Sequence, residues 1–174
     1  MSVFFETSLG DIVIDLHIDK APKACFNFIK LCQMKFYNNS LFHSVQKDYI
    51  CETGKPVNGL PPTSIWGLLS SERAKPKFFG DEICKAKFNR KGLVATGNVG
   101  PNMNSSTFFI TLSNDKLDSF YKKHTIFGEV VEGLDVLDKI NLVYVNQEDR
   151  PLQNIRIKHS MVIEDPYEEA DSIA

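Results

Sequence analysis

The sequence predicts a mainly β protein, a closed antiparallel barrel that carries two α-helices. Short apolar runs with alternating polar residues recur along the chain, and turn-forming Gly, Asn, Asp and Ser separate them. Two longer stretches show helical spacing instead. Many short antiparallel strands protect their edges by closing on themselves. The 174 residues suit one domain with a sizeable core, which we place at residues 1–164.

The elements follow from the local patterns. The first two strands are predicted over residues 2–7 and 11–18, with a turn between them. Helices are predicted over residues 21–36, where Pro22 occupies the first turn, and over 132–142. The remaining strands are predicted over residues 41–45, 49–52, 93–95, 108–110 and 154–163. In the last strand, one face is expected to hold Ile155, Ile157, His159, Met161 and Ile163.

Composition excludes several classes of function. A net charge of -2 and a pI near 6.1 argue against nucleic-acid binding through bulk charge. No apolar run approaches the ~18–20 residues of a membrane span, and we expect no signal peptide at the N-terminus. The acidic residues 165–174 are expected to form a frayed tail, the start of a linker to a further domain. Residues 73–91 are locally basic, which indicates a solvated face or, alternatively, a surface for an acidic partner or an RNA backbone.

The four cysteines show no C-x-x-C pair and no metal-ligand spacing with histidine. Cys25 and Cys32 on one helix would be separated by roughly 10 Å along its axis. That separation is beyond the reach of a disulfide. We therefore expect reduced core thiols, as in a cytosolic or nuclear protein, and no metal site.

The most informative stretch is residues 92–109. It opens with the apolar run Leu93-Val94-Ala95, passes through a dense cluster of Gly, Asn, Pro and Ser, and closes with Phe108-Phe109. Such a cluster marks backbone with unusual dihedral angles. An ordered loop of this kind between two core strands is typical of a binding loop.

This stretch resembles the signature of the cyclophilins, the peptidyl-prolyl cis-trans isomerases. The family pattern A-N-x-G-P-N-x-N-x-S-x-F-F matches at fixed spacing, and H-x-x-F-G-x-V matches from His124. The resemblance covers residues 2–163. It implies an eight-stranded barrel with a helix at each open end. It also implies a groove for proline peptides that needs no metal and no cofactor.

A second family motif departs from the pattern at several positions, with Tyr49 in place of the Phe and Ile50 in place of the Met, and two further departures bear on the chemistry. The cyclophilin segment F-H-R-x-I-P-x-F-M-x-Q matches at Phe42 and His43, whereas Ser44 replaces the catalytic arginine and Glu52 replaces the glutamine. A His43–Ser44 nucleophile is rejected, because neighbouring residues of a strand point to opposite faces.

The resemblance implies a role for each candidate site residue. The catalytic positions are Ser44 (where the arginine is missing), Tyr49, Phe109 and His124. The substrate-binding positions are Ile50, Glu52, Gly97, Asn98, Val99, Thr107, Ser119 and Phe120. Phe108 is expected to pack in the core, which leaves Phe109 for the groove. The loop over residues 112–123 departs from the family length, so Ser119 stands at the family's tryptophan only in the best alignment.

Rotation about an X-Pro bond must overcome a barrier near ~18–20 kcal/mol. A donor aimed at the amide nitrogen stabilises the twisted state selectively. Ser44 is short and neutral, so we expect weak isomerase activity and weak cyclosporin binding. The alternative is a noncatalytic module that recruits proline peptides, and a third class is a purely structural barrel.

The chain looks most like one branch, the peptidyl-prolyl cis-trans isomerase-like 4 group. Its members are nuclear cyclophilins that continue into an RNA-recognition motif and associate with the spliceosome. The resemblance implies a monomer with proline-containing and spliceosomal protein partners, no membrane, and RNA contact only through a domain outside these residues. It implies a nuclear location, with the cytoplasm as the second choice.

Overall fold

The computed structural model describes residues 1–71, 75–83 and 87–163. Eight strands in these ranges form one antiparallel sheet. In chain order they are β1 (Ser2–Thr7), β2 (Gly10–Leu16), β3 (Ser44–Gln46), β4 (Ile50–Thr53), β5 (Leu93–Asn98), β6 (Asn104–Thr111), β7 (Ile126–Glu132) and β8 (Ile157–Ile163).

The sheet curls into a barrel, which confirms the predicted fold class. Its strand order is β3-β4-β6-β5-β7-β2-β1-β8, so β3 and β8 are the outermost strands. The segment before β3 bridges them, since the Phe42 amide donates to the Ile155 carbonyl at 2.8 Å and the Asn39 amide to Ile157 at 2.7 Å. Residues outside the regular strands therefore join the two edges of the curled sheet.

In the described part of the chain, three α-helices accompany the sheet: α1 (Pro22–Gln33), α2 (Ile65–Leu68) and α3 (Leu134–Asn141). The first and last confirm the two predicted helices, with shorter bounds. The single-turn α2 lies in residues 55–91, where the sequence shows no helical periodicity because a four-residue helix is too short to display one. The main core fills the space between the sheet, α1 and α3, with Phe5, Phe28 and Phe108 packed together.

The N-terminus of α1 is capped by a residue from far along the chain. Glu82 accepts hydrogen bonds from the backbone amides of Lys23 at 3.1 Å and Ala24 at 2.8 Å. The local N-cap residue, Ala21, makes no side-chain hydrogen bond. Because helix N-termini carry unpaired N–H groups and partial positive charge, a carboxylate there is stabilising.

We therefore predict that Glu82→Gln lowers the free energy of unfolding by about 0.5–2 kcal/mol, the usual range for a helix cap. Urea denaturation followed by circular dichroism measures it. Asp118→Asn serves as a control, since Asp118 lies in a 3-10 turn away from α1. An equal loss in both variants would contradict the capping role.

The predicted face of the last strand is wrong beyond its first residues. The pairing of β1 with β8 is irregular between Glu6 and Thr7, where Thr7 faces Ile157 but Glu6 faces His159. One extra residue in β8 reverses the alternation of inward and outward side chains. Ser160 is therefore fully buried, whereas Met161 and Ile163 are 51% and 45% exposed.

The cysteine prediction is confirmed for Cys25, Cys32 and Cys51, which are free and buried. Burial raises the pKa of the Cys25 and Cys51 thiols to about 12, and it raises the pKa of Cys32 further still. At neutral pH these thiols stay protonated and behave as small apolar side chains. Cys84 lies outside the described residues, as does the acidic segment 165–174.

Part of the basic stretch pairs with carboxylates of this chain. Arg90 contacts Glu129 at 2.9 Å, and Lys91 contacts Asp138 at 2.7 Å. The hydrogen bond from Arg90 lowers the pKa of Glu129. Arg73 and Lys85 lie outside the described residues, so the choice between a solvated face and a binding surface stays open. No helix in the described ranges has the length and apolar character needed to cross a bilayer.

Candidate functional site

The candidate residues gather on one face of the four strands β3, β4, β6 and β5. In β6, Phe108 and Ile110 point into the main core, so Phe109 points to the opposite face. Across the strands, Phe109 is paired with Glu52 on one side and with Ala95 on the other. Cross-strand partners share a face, and this face is where the groove is expected.

A compact aromatic cluster occupies this face. We define it as Tyr49, Phe88, Phe109, Phe120 and His124. The Phe120 ring lies 4.7 Å from Phe109, 4.8 Å from Tyr49 and 5.4 Å from His124 between ring centroids. His124 also meets the Phe109 ring edge to face at 5.1 Å. Ile50 belongs to the same buried group, so five of the predicted residues come together here.

The cluster has an inner and an outer part. Phe109 is 2% exposed and Phe120 is 8% exposed, so both form the floor of this face. Tyr49 and His124 are half-buried and stand towards the solvent. A bound apolar ring would therefore rest on buried aromatic surface and touch two partly polar residues at the rim.

Hydrogen bonds to β5 hold His124 and its loop in place. The Nδ1 atom of His124 lies 2.8 Å from the Thr96 carbonyl oxygen, which can only accept, so Nδ1 carries the hydrogen. The other ring nitrogen, Nε2, has no hydrogen-bond partner within residues 1–71, 75–83 and 87–163. The Asn98 side-chain amide donates to the Lys123 carbonyl at 2.7 Å, so Asn98 anchors the chain just before His124.

A polar end adjoins the aromatic cluster, and we define it as Glu52, Gly97 and Thr107. The Thr107 hydroxyl donates to the Gly97 carbonyl at 3.0 Å. A Cβ atom at Gly97 would lie 2.8 Å from Thr107 Oγ1 and 3.0 Å from Glu52 Oε1. Only glycine leaves room for the three groups to converge in this way.

The polar end carries a negative charge where the family pattern has a neutral side chain. Glu52 Oε1 lies 3.7 Å from His43 Nε2, and the Glu52 side chain is 29% exposed. Ser44 is the cross-strand partner of Glu52. The position that the resemblance assigns to a guanidinium therefore holds a short hydroxyl beside a carboxylate.

Of the predicted residues, Ser119 contacts the aromatic cluster, whereas Val99 lies outside it. Ser119 lies in a short 3-10 helix, Asp118–Phe120, and its hydroxyl is 2.6 Å from the Tyr49 hydroxyl. It thus ties the 112–123 loop to the cluster. Val99 is 74% exposed just beyond β5, and it adds apolar surface outside the cluster.

Phe88 is a member of the cluster that sequence reasoning missed. Its ring lies 5.5 Å from Phe120 and 6.2 Å from Phe109, and it is only 6% exposed. In the sequence it stands alone between Lys87 and Asn89 in a basic stretch, with no periodicity to indicate burial. Its size and apolar character in such a polar context are the only signal.

Two asparagines of the central motif form hydrogen bonds with the segment before β5. Asn104 donates from its side chain to the Phe79 carbonyl at 2.9 Å and to Asp81 at 2.7 Å. The Asn102 side chain accepts from the Asp81 amide at 2.9 Å. These residues hold the segment at Phe79–Asp81 against the loop, so part of the motif fixes backbone and does not belong to the aromatic cluster.

The Tyr49–Ser119 contact gives a measurable prediction. Tyr49→Phe keeps the ring stacked on Phe120 and removes one partly exposed hydrogen bond. We expect a loss of about 0.5–1 kcal/mol in stability and a more mobile 112–123 loop. Amide hydrogen exchange of that loop measures the change, and Tyr144→Phe, at a tyrosine that is 83% exposed, is the control.

The arrangement combines apolar aromatic surface with two ionisable side chains, His124 and Glu52. Among the described residues, no three His, Cys, Asp or Glu side chains come close enough to hold a metal ion. What the face offers is an aromatic floor, a histidine with one free ring nitrogen, and a carboxylate. The barrel and this face together define the class of protein that the motifs predict.

The family comparison identifies that class. The model of the cyclophilin type peptidyl-prolyl cis-trans isomerases matches residues 2–162. The chain belongs to this family, which confirms the resemblance read from the motifs. A solved structure, a cyclophilin type peptidyl-prolyl cis-trans isomerase of Cryptosporidium parvum in the presence of the dipeptide Ala-Pro, is similar with a TM-score of 0.83. It is 29% identical, and the match covers 95% of this chain and all of that one.

The curated relatives point to the predicted branch. Peptidyl-prolyl cis-trans isomerase CYP59 of Arabidopsis thaliana is 48% identical over the whole of this chain and 34% of its own length. The human peptidyl-prolyl cis-trans isomerase-like 4 is 42% identical over 97% of this chain, again 34% of its own length. This chain therefore spans about a third of the length of these relatives.

Proposed function

We propose that this domain binds proline-containing peptides on the aromatic face and accelerates their cis/trans exchange weakly. The observation that carries the proposal is the gathering of Tyr49, Phe109, Phe120 and His124 around one floor. A proline ring is apolar and compact, and it gains from burial against aromatic surface. The Ala-Pro dipeptide named with the Cryptosporidium parvum structure supports the same ligand class.

The catalytic part of the proposal follows from charge. Twisting the prolyl amide localises the lone pair on nitrogen, and a cation or donor pointed at it lowers the barrier. At the family's arginine position this chain has Ser44, and the nearby Glu52 carboxylate disfavours the developing electron density. The face thus binds a proline peptide while giving its transition state little extra stabilisation.

The same charge favours a second candidate, a noncatalytic proline-peptide reader. Exchange NMR on a short Ala-Pro peptide, with the protein added at a known concentration, distinguishes the isomerase from the reader. Faster exchange supports the isomerase, and chemical-shift changes without faster exchange support the reader. If the peptide neither binds nor exchanges faster, both candidates fail and a structural barrel is the better description.

The assembly is proposed from the relatives. They are about three times as long as this chain, so we propose that residues 1–164 form the cyclophilin domain of a longer nuclear protein. Residues 165–174 would then begin a linker to an RNA-recognition motif, and the partners would be spliceosomal proteins. Imaging of the tagged full-length protein tests the location, and exclusion from the nucleus would contradict it.

Weak cyclosporin binding is part of the same proposal. The family's arginine and tryptophan positions carry Ser44 and Ser119, so two large contact surfaces are absent. Calorimetric titration of cyclosporin into the domain measures the affinity. Tight binding would show that the remaining aromatic floor suffices.

A further inference from the structure

A second concave site lies outside the aromatic face. It is a cavity of about 270 Å³ bordered by His43, Lys55 and Arg150, with apolar walls from Leu41 and Pro56. None of the predicted proline-binding residues lines it. Its two cationic side chains are both exposed towards the solvent.

The segment beside the cavity holds buried polar atoms without a hydrogen-bond partner among the described residues. Within the described part of the chain, three buried side-chain atoms lack a hydrogen-bond partner, and they are Asn38 Oδ1, Ser40 Oγ and His43 Nδ1. All three fall in the segment that forms one side of this cavity. The His43 side chain is only 10% exposed. An unpaired buried polar atom is costly, and the one on His43 belongs to a residue that lines the cavity.

The charges bordering the cavity are also uncompensated. Across the described residues, neither the Lys55 ammonium nor the Arg150 guanidinium forms an ion pair with a carboxylate. Arg150 is fixed at its backbone, since its amide donates to the Asn146 side chain at 3.1 Å. Two cations that border one cavity are donors suited to an oxyanion.

We propose that this cavity, bordered by His43, Lys55 and Arg150, binds a phosphate group. A phosphate monoester carries about -1.5 to -2 charges at pH 7, which matches two cations. It also supplies several acceptor oxygens for charge-assisted hydrogen bonds from Lys55 and Arg150. The phosphate would come either from a phosphorylated side chain of a partner or from free phosphate in solution.

His43 connects this cavity to the aromatic face. The residue borders the cavity, and its Nε2 atom lies 3.7 Å from Glu52 Oε1 in the polar end. A phosphate bound beside His43 would therefore place negative charge next to a residue that contacts the polar end, and this consequence alone depends on the proposed peptide function.

Titration of inorganic phosphate tests the site, with the His43 ring signals followed by NMR and ionic strength held constant with sodium chloride. We expect saturable shifts of His43, and roughly tenfold weaker binding in Lys55→Gln and in Arg150→Gln, since each removes one charge-assisted contact. Lys20→Gln, at an exposed lysine before α1, is the matched control and should bind as the original chain does. Circular dichroism checks that each variant folds.

A parallel titration with capped phosphoserine separates the two sources. Binding at least tenfold tighter than inorganic phosphate assigns the site to a phosphorylated side chain, and equal binding assigns it to the free anion. Three results would overturn the proposal: no saturable shift at His43, equal shifts with sodium chloride alone, or the same loss in Lys20→Gln as in the cavity variants. A failure of the Ala-Pro peptide to bind would leave this titration unaffected.

Discussion

Replacing Ser44 with arginine is expected to raise turnover of an Ala-Pro peptide, and the gain should be largest when Glu52 is changed to glutamine as well. A single transition-state donor is worth about 10²–10³ in rate. In Ser44→Arg alone, the new guanidinium faces the Glu52 carboxylate on the neighbouring strand. Cross-strand partners are within reach of such a pair, so part of the charge would be diverted from the amide nitrogen.

The expected order of kcat/KM is therefore original chain, then Ser44→Arg, then Ser44→Arg with Glu52→Gln. Relative to the original chain, we expect kcat/KM to rise about tenfold in the single variant and about 10²–10³-fold in the double variant. Ser44→Gln is the control for side-chain length without charge, and it should leave turnover unchanged. If the original chain already turns over as fast as an ordinary cyclophilin, the missing arginine does not limit its rate and this prediction is wrong.

Replacing Phe109 with leucine is expected to remove most of the peptide affinity, whereas the same change at Phe108 should not. The two residues are adjacent in β6 and almost fully buried, but they belong to different clusters. Phe108 packs on Phe28 and Tyr37 in the main core. Phe109 forms the floor beneath Tyr49 and His124.

Both variants should lose about 1–2 kcal/mol of stability, because each replaces a buried ring by a smaller side chain. Only Phe109→Leu should weaken binding of an Ala-Pro peptide, by at least tenfold, from lost aromatic contact. Urea denaturation gives the stability and NMR titration gives the affinity. Equal loss of affinity in both variants would mean that general destabilisation accounts for the effect.

Phe108 and Phe109 also show how far sequence reasoning reached. Strand alternation requires neighbouring residues to point to opposite faces, so one pattern predicts both the core residue and the groove residue. The spacing of the motif indicated in addition which strand carries Phe108 and Phe109. Phe88 escaped prediction because it lies in an irregular stretch, where no repeat relates sequence position to direction.

The sequence by itself determined the barrel, the two long helices and the family, because these depend on alternation, helical spacing and a motif within short segments. The tertiary structure alone decided the capping of α1 by Glu82, the reversed face of β8 and the placement of His43 between Glu52 and a second cavity. Each of these joins residues that are distant in the chain or shifts the pairing of two strands by one residue. Local patterns carry no information about such contacts, since they exist only once the strands have paired and the sheet has curled.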